Sequence, residues 1–286
     1  MILSFHPCFV ADKNIICAGR KPDINDLAAI ESANAVILPQ GCSELLYTMA
    51  KSNCLNVFPN FDARFQYPGK IGQIHLFQKT NTIHPKTETF PAVNVFKEKY
   101  FQSSGNFQFN FPFVFKFNWG GEGDMVYKVS SLEDLNLLLL KAEQFEKTGQ
   151  SSFLIQEYIS SKGKSLRINV IGQRQISFWR FQDNGNGFQS NLSKGAKIDY
   201  DSHPKLMEIA KKSVYEFCQK TGINLAGFDI LFSFDSSGKP ETEPLFLEIN
   251  YFFGRRGLGG SEKFYKLLVQ EIRIWLDELG LSVKTQ

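Results

Sequence analysis

Two strand-like stretches decide the fold of this chain: Ala226-Gly227-Phe228-Asp229-Ile230-Leu231-Phe232 and Leu245-Phe246-Leu247-Glu248-Ile249-Asn250. Each is a run of large apolar residues that carries acidic or amide side chains, which is typical of a β-strand that contributes to a binding site. The turn-forming residues 235–238 lie between them, so the pair is predicted to form a hairpin. In that hairpin Asp229 and Glu248 lie opposite each other, with side chains about 5 Å apart.

Asn250 lies two residues beyond Glu248, so strand alternation places it on the same face. Two carboxylates on one face repel each other unless a cation lies between them. Carboxylate and amide oxygens are the ligands that magnesium prefers, particularly magnesium that also holds phosphates. Asp229, Glu248 and Asn250 are therefore predicted to form a magnesium site.

Composition excludes several classes of protein. The chain has 286 residues, 43% hydrophobic, with 32 basic and 29 acidic side chains and a net charge of +3. Near neutrality argues against a nucleic-acid surface, and no apolar run approaches the length of about 18 residues that a membrane span needs. The first residues lack the pattern of a signal peptide. The five cysteines have no paired spacing, so free thiols in the cytoplasm are predicted.

Residues 1–87 are predicted to form a small Rossmann-like α/β unit. Short apolar runs at 35–38 and 55–58 are typical of strands, and residues 43–50 between them predict a helix capped by Ser43. This order favours a βαβ crossover. Residues 59–90, rich in Pro, Gly, Asn and Thr, are predicted to be the passage into the next domain.

Every odd position from 107 to 117 is Phe, a period-two pattern that predicts a strand with one buried face. Pro112 implies either that regular pairing begins after it or that the strand lies at an edge. Lys116 then points away from the Phe core. It precedes a loop whose glycines let backbone N–H groups approach phosphates, so a phosphate clamp is predicted, with a bare hairpin turn as the alternative. These glycines are Gly120, Gly121 and Gly123.

Two arginines flank a tight turn at Gly172-Gln173. Hairpin pairing across that turn places Arg167 opposite Phe178 and Arg180 opposite Ser165, so both guanidiniums share one face. Two such cations are unfavourable without an anion, which predicts an anionic ligand; solvated surface arginines are the alternative.

Helical spacing predicts three helices and local patterns predict further strands. The helices are a capped one beginning at Ser130–Glu133 and ending at Gly149, one at 204–221 and one at 261–279. Strands are predicted at 125–129, 153–159, 166–171 and 175–181. The 153–159 strand carries Gln156 and Glu157 within an apolar run; it suits a nucleotide base, although an ordinary edge strand is the simpler interpretation.

No Ser/His/Asp or Cys/His catalytic arrangement is visible, and none of the four histidines is predicted to be catalytic.

The order of these features resembles the ATP-grasp superfamily, most of all the ribosomal-protein glutamate ligase (RimK) type. The resemblance spans roughly residues 68 to 260 and rests on the order of motifs that are individually common. They are Pro68-Gly69-Lys70, His84-Pro85-Lys86-Thr87, the Lys116 strand with its glycine loop, Gln156-Glu157-Tyr158-Ile159, Leu166-Arg167, Arg180, Ser190-Asn191-Leu192, Ala226-Gly227-Phe228-Asp229 and Glu248-Ile249-Asn250.

The resemblance implies an α+β chain: an ATP-grasp fold of two α+β subdomains, preceded by the small α/β domain. The implied boundaries are 1–87, 88–157 for the lid subdomain and 158–286 for the C-terminal subdomain. ATP would lie between the subdomains. By match, Lys70 and Lys116 would contact phosphates, and Gly120, Gly121 and Gly123 would form the lid. Adenine would be held by Gln156, Glu157, Tyr158 and Ile159, one or two Mg²⁺ ions (with Mn²⁺ as an alternative) by Asp229, Glu248 and Asn250, and the transferred group by Arg167, Arg180 and Asn191.

The implied reaction joins a carboxylate to an amine, or to a thiol, through an acyl phosphate made with ATP. The substrates would be an amino acid, a peptide or a protein end, with no nucleic acid and no membrane involved. A small-molecule kinase and a non-catalytic ATP-binding module are the alternatives. The identities of the acid and the amine, the choice between a small-molecule and a protein acceptor, and a homo-oligomeric state are all left open.

One segment departs from the family pattern. After the Glu-x-Asn motif the family has a small residue followed by Pro-Gly, whereas this chain has Tyr251-Phe252-Phe253-Gly254-Arg255-Arg256-Gly257. Arg255 and Arg256 lie beside glycines at the start of the last helix, which suits a carboxylate or phosphate. They are therefore predicted to be catalytic, with surface arginines as the alternative.

Overall fold

In a computed structural model of the chain, residues 1–102, 107–121, 123–182 and 195–283 are described, and their strands form three sheets. No helix within these ranges is long and apolar enough to cross a membrane. All five cysteines carry free thiols, as predicted. The mixed helix and sheet content confirms the predicted fold class. The domain boundaries at 87 and 157 stay predictions.

The first sheet is parallel, with the strand order β2-β1-β3-β4. Helix α2 links the parallel neighbours β3 and β4, which confirms the predicted βαβ crossover. The Ser43 hydroxyl accepts a hydrogen bond from the Leu46 N–H at 3.3 Å, so the predicted cap is present. The elements are β1 (Ile2–Ser4), β2 (Lys13–Asn14), α1 (Ile24–Glu31), β3 (Ala35–Ile37), α2 (Glu44–Asn53) and β4 (Val57–Phe58).

The segment predicted to be a passage contains two helices, α3 (Asp62–Gln66) and α4 (Gly69–Lys79). Helix α4 buries Ile74, Leu76 and Phe77, so it belongs to the main hydrophobic core. The prediction missed it because Pro68 and Gly69, which suggest a turn, here mark the beginning of a helix.

The second sheet is antiparallel, with the order β5-β8-β6-β7. Phe113, Phe115 and Phe117 are all fully buried, and pairing begins after Pro112, as predicted. Two predictions need correction. Strand β8 lies inside the sheet, not at its edge, and the capping box of α6 is Ser131 with Asp134, one residue later than expected. The elements are β5 (Thr87–Phe90), α5 (Val93–Lys97), a π-helix (Glu98–Gln102), β6 (Phe113–Phe117), β7 (Val126–Val129), α6 (Leu132–Glu146) and β8 (Phe153–Glu157).

The third sheet is antiparallel, with the order β11-β10-β9-β12-β13. Leu166, Ile168 and Val170 of β9 share a core cluster with residues of α7, so α7 covers one face of this sheet. The alternate residues Ser165, Arg167 and Asn169 are polar and face the other side, with the apolar Ile171 at the end of the strand. The elements are β9 (Lys164–Ile171), β10 (Arg174–Phe181), β11 (Lys197–Asp199), α7 (Pro204–Thr221), β12 (Leu225–Leu231), β13 (Leu245–Asn250), a 3₁₀ turn (Arg256–Leu258) and α8 (Ser261–Glu278).

Candidate active site

The hairpin of β12 and β13 has the predicted register. Asp229 lies opposite Glu248, and Gly227 lies opposite Asn250. The register shifts by one residue after Asp229, and Gly238, with φ of 84°, closes the turn. The acidic and amide groups therefore share one face of the sheet, as the alternation of the two stretches predicts.

The two arginines also pair as predicted, with Arg167 opposite Phe178 and Arg180 opposite Ser165. Their anionic partner, however, is Asp229, which lies across from Arg167 on β12. Arg167 donates from Nε to Asp229 Oδ1 at 2.6 Å and from Nη2 to Oδ2 at 3.1 Å. Arg180 donates from Nη2 to Oδ1 at 2.6 Å. An anionic ligand is therefore not needed to explain why the guanidiniums lie together.

This arrangement controls the charge of Asp229, which is only 6% exposed. Burial alone would raise the pKa of its carboxyl, but Arg167 and Arg180 outweigh burial and hold that pKa below its ordinary value. Asn250 adds a hydrogen bond from Nδ2 to Asp229 Oδ2 at 3.1 Å. Asp229 is therefore an ionised carboxylate with cations already beside it.

Glu248 lies in a different environment. Burial, and next the charge of Asp229, raise the pKa of its carboxyl. Nothing within the described ranges donates a hydrogen bond to this carboxylate. Lys70 and Lys116 act on it through their charges, in the opposite direction to burial. Glu248 is thus the acidic group of the site that has oxygens available for a cation.

The donor set partly fits magnesium. Among the described residues no group of three His, Cys, Asp or Glu side chains could hold a metal, and the predicted site offers two carboxylates and an amide. Glu248 and the amide oxygen of Asn250 are hard oxygen donors of the kind that magnesium prefers. Asp229 would join them only by sharing its oxygens with the two arginines.

Two lysines bring positive charge to the same place. Lys116 on β6 is 8% exposed, and burial lowers the pKa of its ammonium to about 8. Lys70, in the first turn of α4, donates from Nζ to the carbonyl oxygens of Trp119 and Gly120 at 2.9 and 2.8 Å. Burial also lowers the pKa of Lys70. Lys70 thus ties the glycine loop to α4, a contact that the sequence does not reveal.

A cleft runs between the second and third sheets. It brings together ten of the predicted site residues, while Gly120, Gly121, Arg167 and Asn250 are not in its lining. The ten are Lys70, Lys116, Gly123, Gln156, Glu157, Tyr158, Ile159, Arg180, Asp229 and Glu248.

The segment predicted to hold adenine is already tied to β5 and the residues just before it. Gln156 donates from Nε2 to Thr87 Oγ1 at 2.8 Å. The Glu157 backbone N–H donates to the Lys86 carbonyl, and the Lys86 N–H donates to Glu157 Oε1 at 2.6 Å. The two side chains therefore hold the wall of the cleft in place, rather than extending freely into it.

Arg255 and Arg256 lie elsewhere, in a shallow depression lined also by Phe252, Phe253 and Gln40. The Arg255 guanidinium lies 4.5 Å from the ring centroid of Tyr265. Neither arginine lines the main cleft, so their predicted catalytic role stays a prediction. Asn191, also predicted to be catalytic, lies outside the described residues.

Sequence reasoning missed Gln73. Its amide donates to the Ile249 carbonyl and accepts from the Ile249 N–H, each at 2.8 Å. Ile249 lies between Glu248 and Asn250, and β13 is the last strand of its sheet. Gln73 therefore covers a free strand edge and supports the strand at two of the three predicted metal ligands, Glu248 and Asn250. The only signal was its position one helical turn after Lys70, on the same helix face.

Comparisons with known proteins show what this chain is similar to. A family model described as the RimK-like ATP-grasp domain matches residues 72–268. A probable alpha-L-glutamate ligase of Picosynechococcus sp. is 27% identical over 152 residues, which are 50% of this chain and 46% of that protein. A probable alpha-L-glutamate ligase of Xanthomonas campestris pv. campestris is 30% identical over 112 residues, or 38% of this chain and 35% of that protein. The chain thus spans about half the length, or less, of these curated relatives.

Solved structures share the fold at low identity. A RimK domain ATP-grasp protein from Sphaerobacter thermophilus has a TM-score of 0.57 at 10% identity, covering 94% of this chain and 98% of that one. An N5-carboxyaminoimidazole synthetase from Staphylococcus aureus, complexed with ADP, has a TM-score of 0.60 at 14% identity, covering 99% and 72%. Because the family model matches well over half of the sequence, the chain belongs to the RimK-like ATP-grasp domain family.

Proposed function

We propose that this protein is an ATP-dependent carboxylate–amine ligase that works through an acyl phosphate. The observation that carries the proposal is the charge of the cleft. Among the described residues, five cationic side chains lie at or beside it, those of Lys70, Lys116, Lys164, Arg167 and Arg180, against three carboxylates, those of Glu157, Asp229 and Glu248. This surplus of positive charge suits a polyphosphate.

The proposed reaction has two steps. A carboxylate oxygen of the first substrate attacks the terminal phosphorus of ATP, and ADP leaves. The amine nitrogen of the second substrate then attacks the acyl carbon, phosphate leaves, and the nitrogen loses a proton. A thiol acceptor would react in the same way. Phosphoryl transfer depends on positioning and charge neutralisation more than on a protein nucleophile, which agrees with the absence of a predicted triad.

Each group would have a defined task. Lys116 and Arg180 would contact the phosphates, with Asp229 holding Arg180 in position. The segment Gln156–Ile159 would face the base. Magnesium held by Glu248 and Asn250, with Asp229, would neutralise phosphate charge. Arg255 and Arg256 would bind a carboxylate end of a substrate. The five free thiols support a cytoplasmic location.

An ADP-release assay tests the proposal. The assay would supply ATP, Mg²⁺ and pairs drawn from amino acids and short peptides, starting with L-glutamate because two relatives are named as glutamate ligases. ADP release that depends on both an acid and an amine, with a condensed product by mass spectrometry, is expected. A stable phosphorylated product would instead identify a kinase. ATP binding without substrate-dependent ADP from any pair would contradict the ligase and favour a binding module.

A substitution of Glu248 tests the assignment of the magnesium site. Glu248→Gln should abolish turnover, because a neutral amide holds a divalent cation poorly. Glu241→Gln, on the exposed part of the same hairpin, is the matched control and should keep wild-type turnover. Unchanged turnover in Glu248→Gln would refute the metal assignment.

A further inference from the structure

Asn169, on β9, has a buried side-chain amide with no role in the proposed reaction. The side chain is 0% exposed. Neither its Nδ2 nor its Oδ1 has a hydrogen-bond partner among the described residues. Buried polar groups are nearly always paired, and each exception needs an explanation. An amide offers two donors and two acceptor lone pairs, so the unmade hydrogen bonds are numerous.

The position of Asn169 links it to the site. It lies two residues beyond Arg167 on the polar face of β9, opposite Gly227 of β12. A Cβ atom placed on Gly227 would lie 2.8 Å from Asn169 Oδ1 and 2.9 Å from Arg167 Nη1. Arg167 uses Nε and Nη2 to hold Asp229, and Nη1 is the nitrogen on the Asn169 side. The amide and this guanidinium nitrogen therefore share the space over Gly227.

The segment that departs from the family pattern covers this space. Phe253 Cβ would lie 3.1 Å from the same Cβ position on Gly227. Phe253 is also part of the depression that contains Arg255 and Arg256. Phe253 therefore borders both the space over Gly227 and the depression that contains the two arginines. A ligand reaches Asn169 only if Phe253 and its neighbours move.

We propose that Asn169 is a specificity-determining residue: once the Phe253 segment moves aside, Arg167 Nη1 binds the carboxylate of the amino-acid or peptide substrate, and Asn169 Oδ1 accepts a hydrogen bond from its amine or amide N–H. The inference rests on the proposed ligase function. A donor and an acceptor over Gly227 match a substrate end that carries both an anionic oxygen and an N–H group. In the free protein the amide has no partner among the described residues, which lowers stability; in the complex its oxygen is paired. A residue that serves binding is expected to lower the stability of the free protein in this way.

This difference predicts that replacing Asn169 and replacing a hydrogen-bonded asparagine shift the melting temperature in opposite directions. Asn169→Leu removes the unpaired polar atoms, so its melting temperature should rise, and Asn169→Val covers the case in which leucine overpacks the site. The matched control is Asn224→Leu. Asn224 Oδ1 accepts a hydrogen bond from the Asn60 N–H at 2.8 Å and does not line the main cleft. Loss of this satisfied amide should lower the melting temperature and leave substrate binding unchanged.

The experiment measures melting temperature and ADP-release kinetics with the same panel of amino acids and dipeptides. We expect Asn169→Leu or Asn169→Val to melt higher than wild type, with KM for the carboxylate-bearing substrate raised at least tenfold and KM for ATP within twofold. Lower melting temperatures for both variants would overturn the inference, because the amide would then have a structural partner. Unchanged KM in a stable variant would overturn it as well.

A thermal-shift arm separates this inference from the ligase proposal. If wild type releases no ADP but an amino acid or dipeptide of the panel raises its melting temperature, the ligase fails. The inference then stands if Asn169→Leu abolishes that shift, and falls if the shift persists. If no amino acid or dipeptide of the panel raises the melting temperature of wild type or is turned over by it, the ligase proposal and the Asn169 inference are both overturned.

Discussion

The position of Asp229 was predicted from the sequence, but its hydrogen-bond partners were not. Hairpin pairing predicted that it lies opposite Glu248, and the structure also places it across from Arg167 and beside Arg180. Its direct bonds to Arg167 and Arg180 could not be predicted, because they depend on rotamers and on the separation of β9, β10 and β12. The two carboxylates consequently differ. Asp229 is stabilised as an anion, while Glu248 is penalised as one.

This difference predicts opposite effects on stability. Asp229→Asn leaves two buried guanidiniums without their counter-charge, so the free energy of unfolding should fall by about 3 kcal/mol or more. Glu248→Gln removes a buried charge whose pKa is raised, so unfolding free energy at neutral pH should be unchanged or higher. Urea unfolding monitored by circular dichroism gives both values. Equal losses in the two variants would contradict the pairing described here.

Lys116 predicts a pH dependence of ATP binding. Burial lowers its pKa from 10.5 to about 8, so the folded protein binds this proton less tightly than the unfolded chain. Between these two values the unfolded chain holds more protons, so the stability contribution of Lys116 rises with pH in that window. Binding of phosphate needs the ammonium, so ATP affinity should weaken above pH 8, by about tenfold for each unit beyond it. Titration calorimetry from pH 7 to 9 measures this.

The control for that titration is Lys116→Met, which should bind ATP weakly at every pH. If wild type and Lys116→Met lose affinity in parallel as the pH rises, another group is responsible and the assignment of Lys116 is wrong.

At the scale of elements, helix α4 has the largest consequence. The Pro- and Gly-containing sequence before it suggests a connection, but the helix delivers Lys70 to the glycine loop and Gln73 to β13. An edge strand carries unpaired N–H and C=O groups, and Gln73 pairs one of each. Two residues of one helix turn thus hold parts of both sheets that border the cleft.

We therefore expect Gln73→Ala to destabilise the protein by about 1–3 kcal/mol, because two backbone groups of β13 lose their partners. Turnover should fall further than stability explains, since Glu248 and Asn250 flank the released residue. Chemical unfolding and ADP-release kinetics measure the two effects. Gln78→Ala, at an exposed position of the same helix, should change neither. Wild-type turnover in Gln73→Ala would exclude the proposed support of the metal ligands.

At the scale of the whole molecule, the cleft lies between the second and third sheets. A ligand that binds only the folded protein stabilises it by mass action, by about 2.7 kcal/mol at a concentration one hundred times its dissociation constant. We predict that ATP with Mg²⁺ raises the melting temperature, and that ATP alone raises it less. Differential scanning fluorimetry checks this, with Lys116→Met as the variant that should show a smaller shift. An equal shift with and without Mg²⁺ would contradict a metal-assisted site.

Local patterns were sufficient for the register of the two hairpins that carry the site and for the face that each of their polar residues occupies, but they did not predict β1, β2, β5 or β11. Period-two alternation and turn residues are properties of adjacent positions, so Asp229, Glu248, Arg167 and Arg180 could be paired from their numbers alone. The order of motifs then indicated the family. Only the packed chain could decide which cation meets which carboxylate, that Gln73 covers β13, that Asn169 is buried with no hydrogen-bond partner among the described residues, and that Arg255 and Arg256 lie outside the cleft. These contacts join residues far apart in sequence, and their energies depend on burial and on distances of a few ångströms.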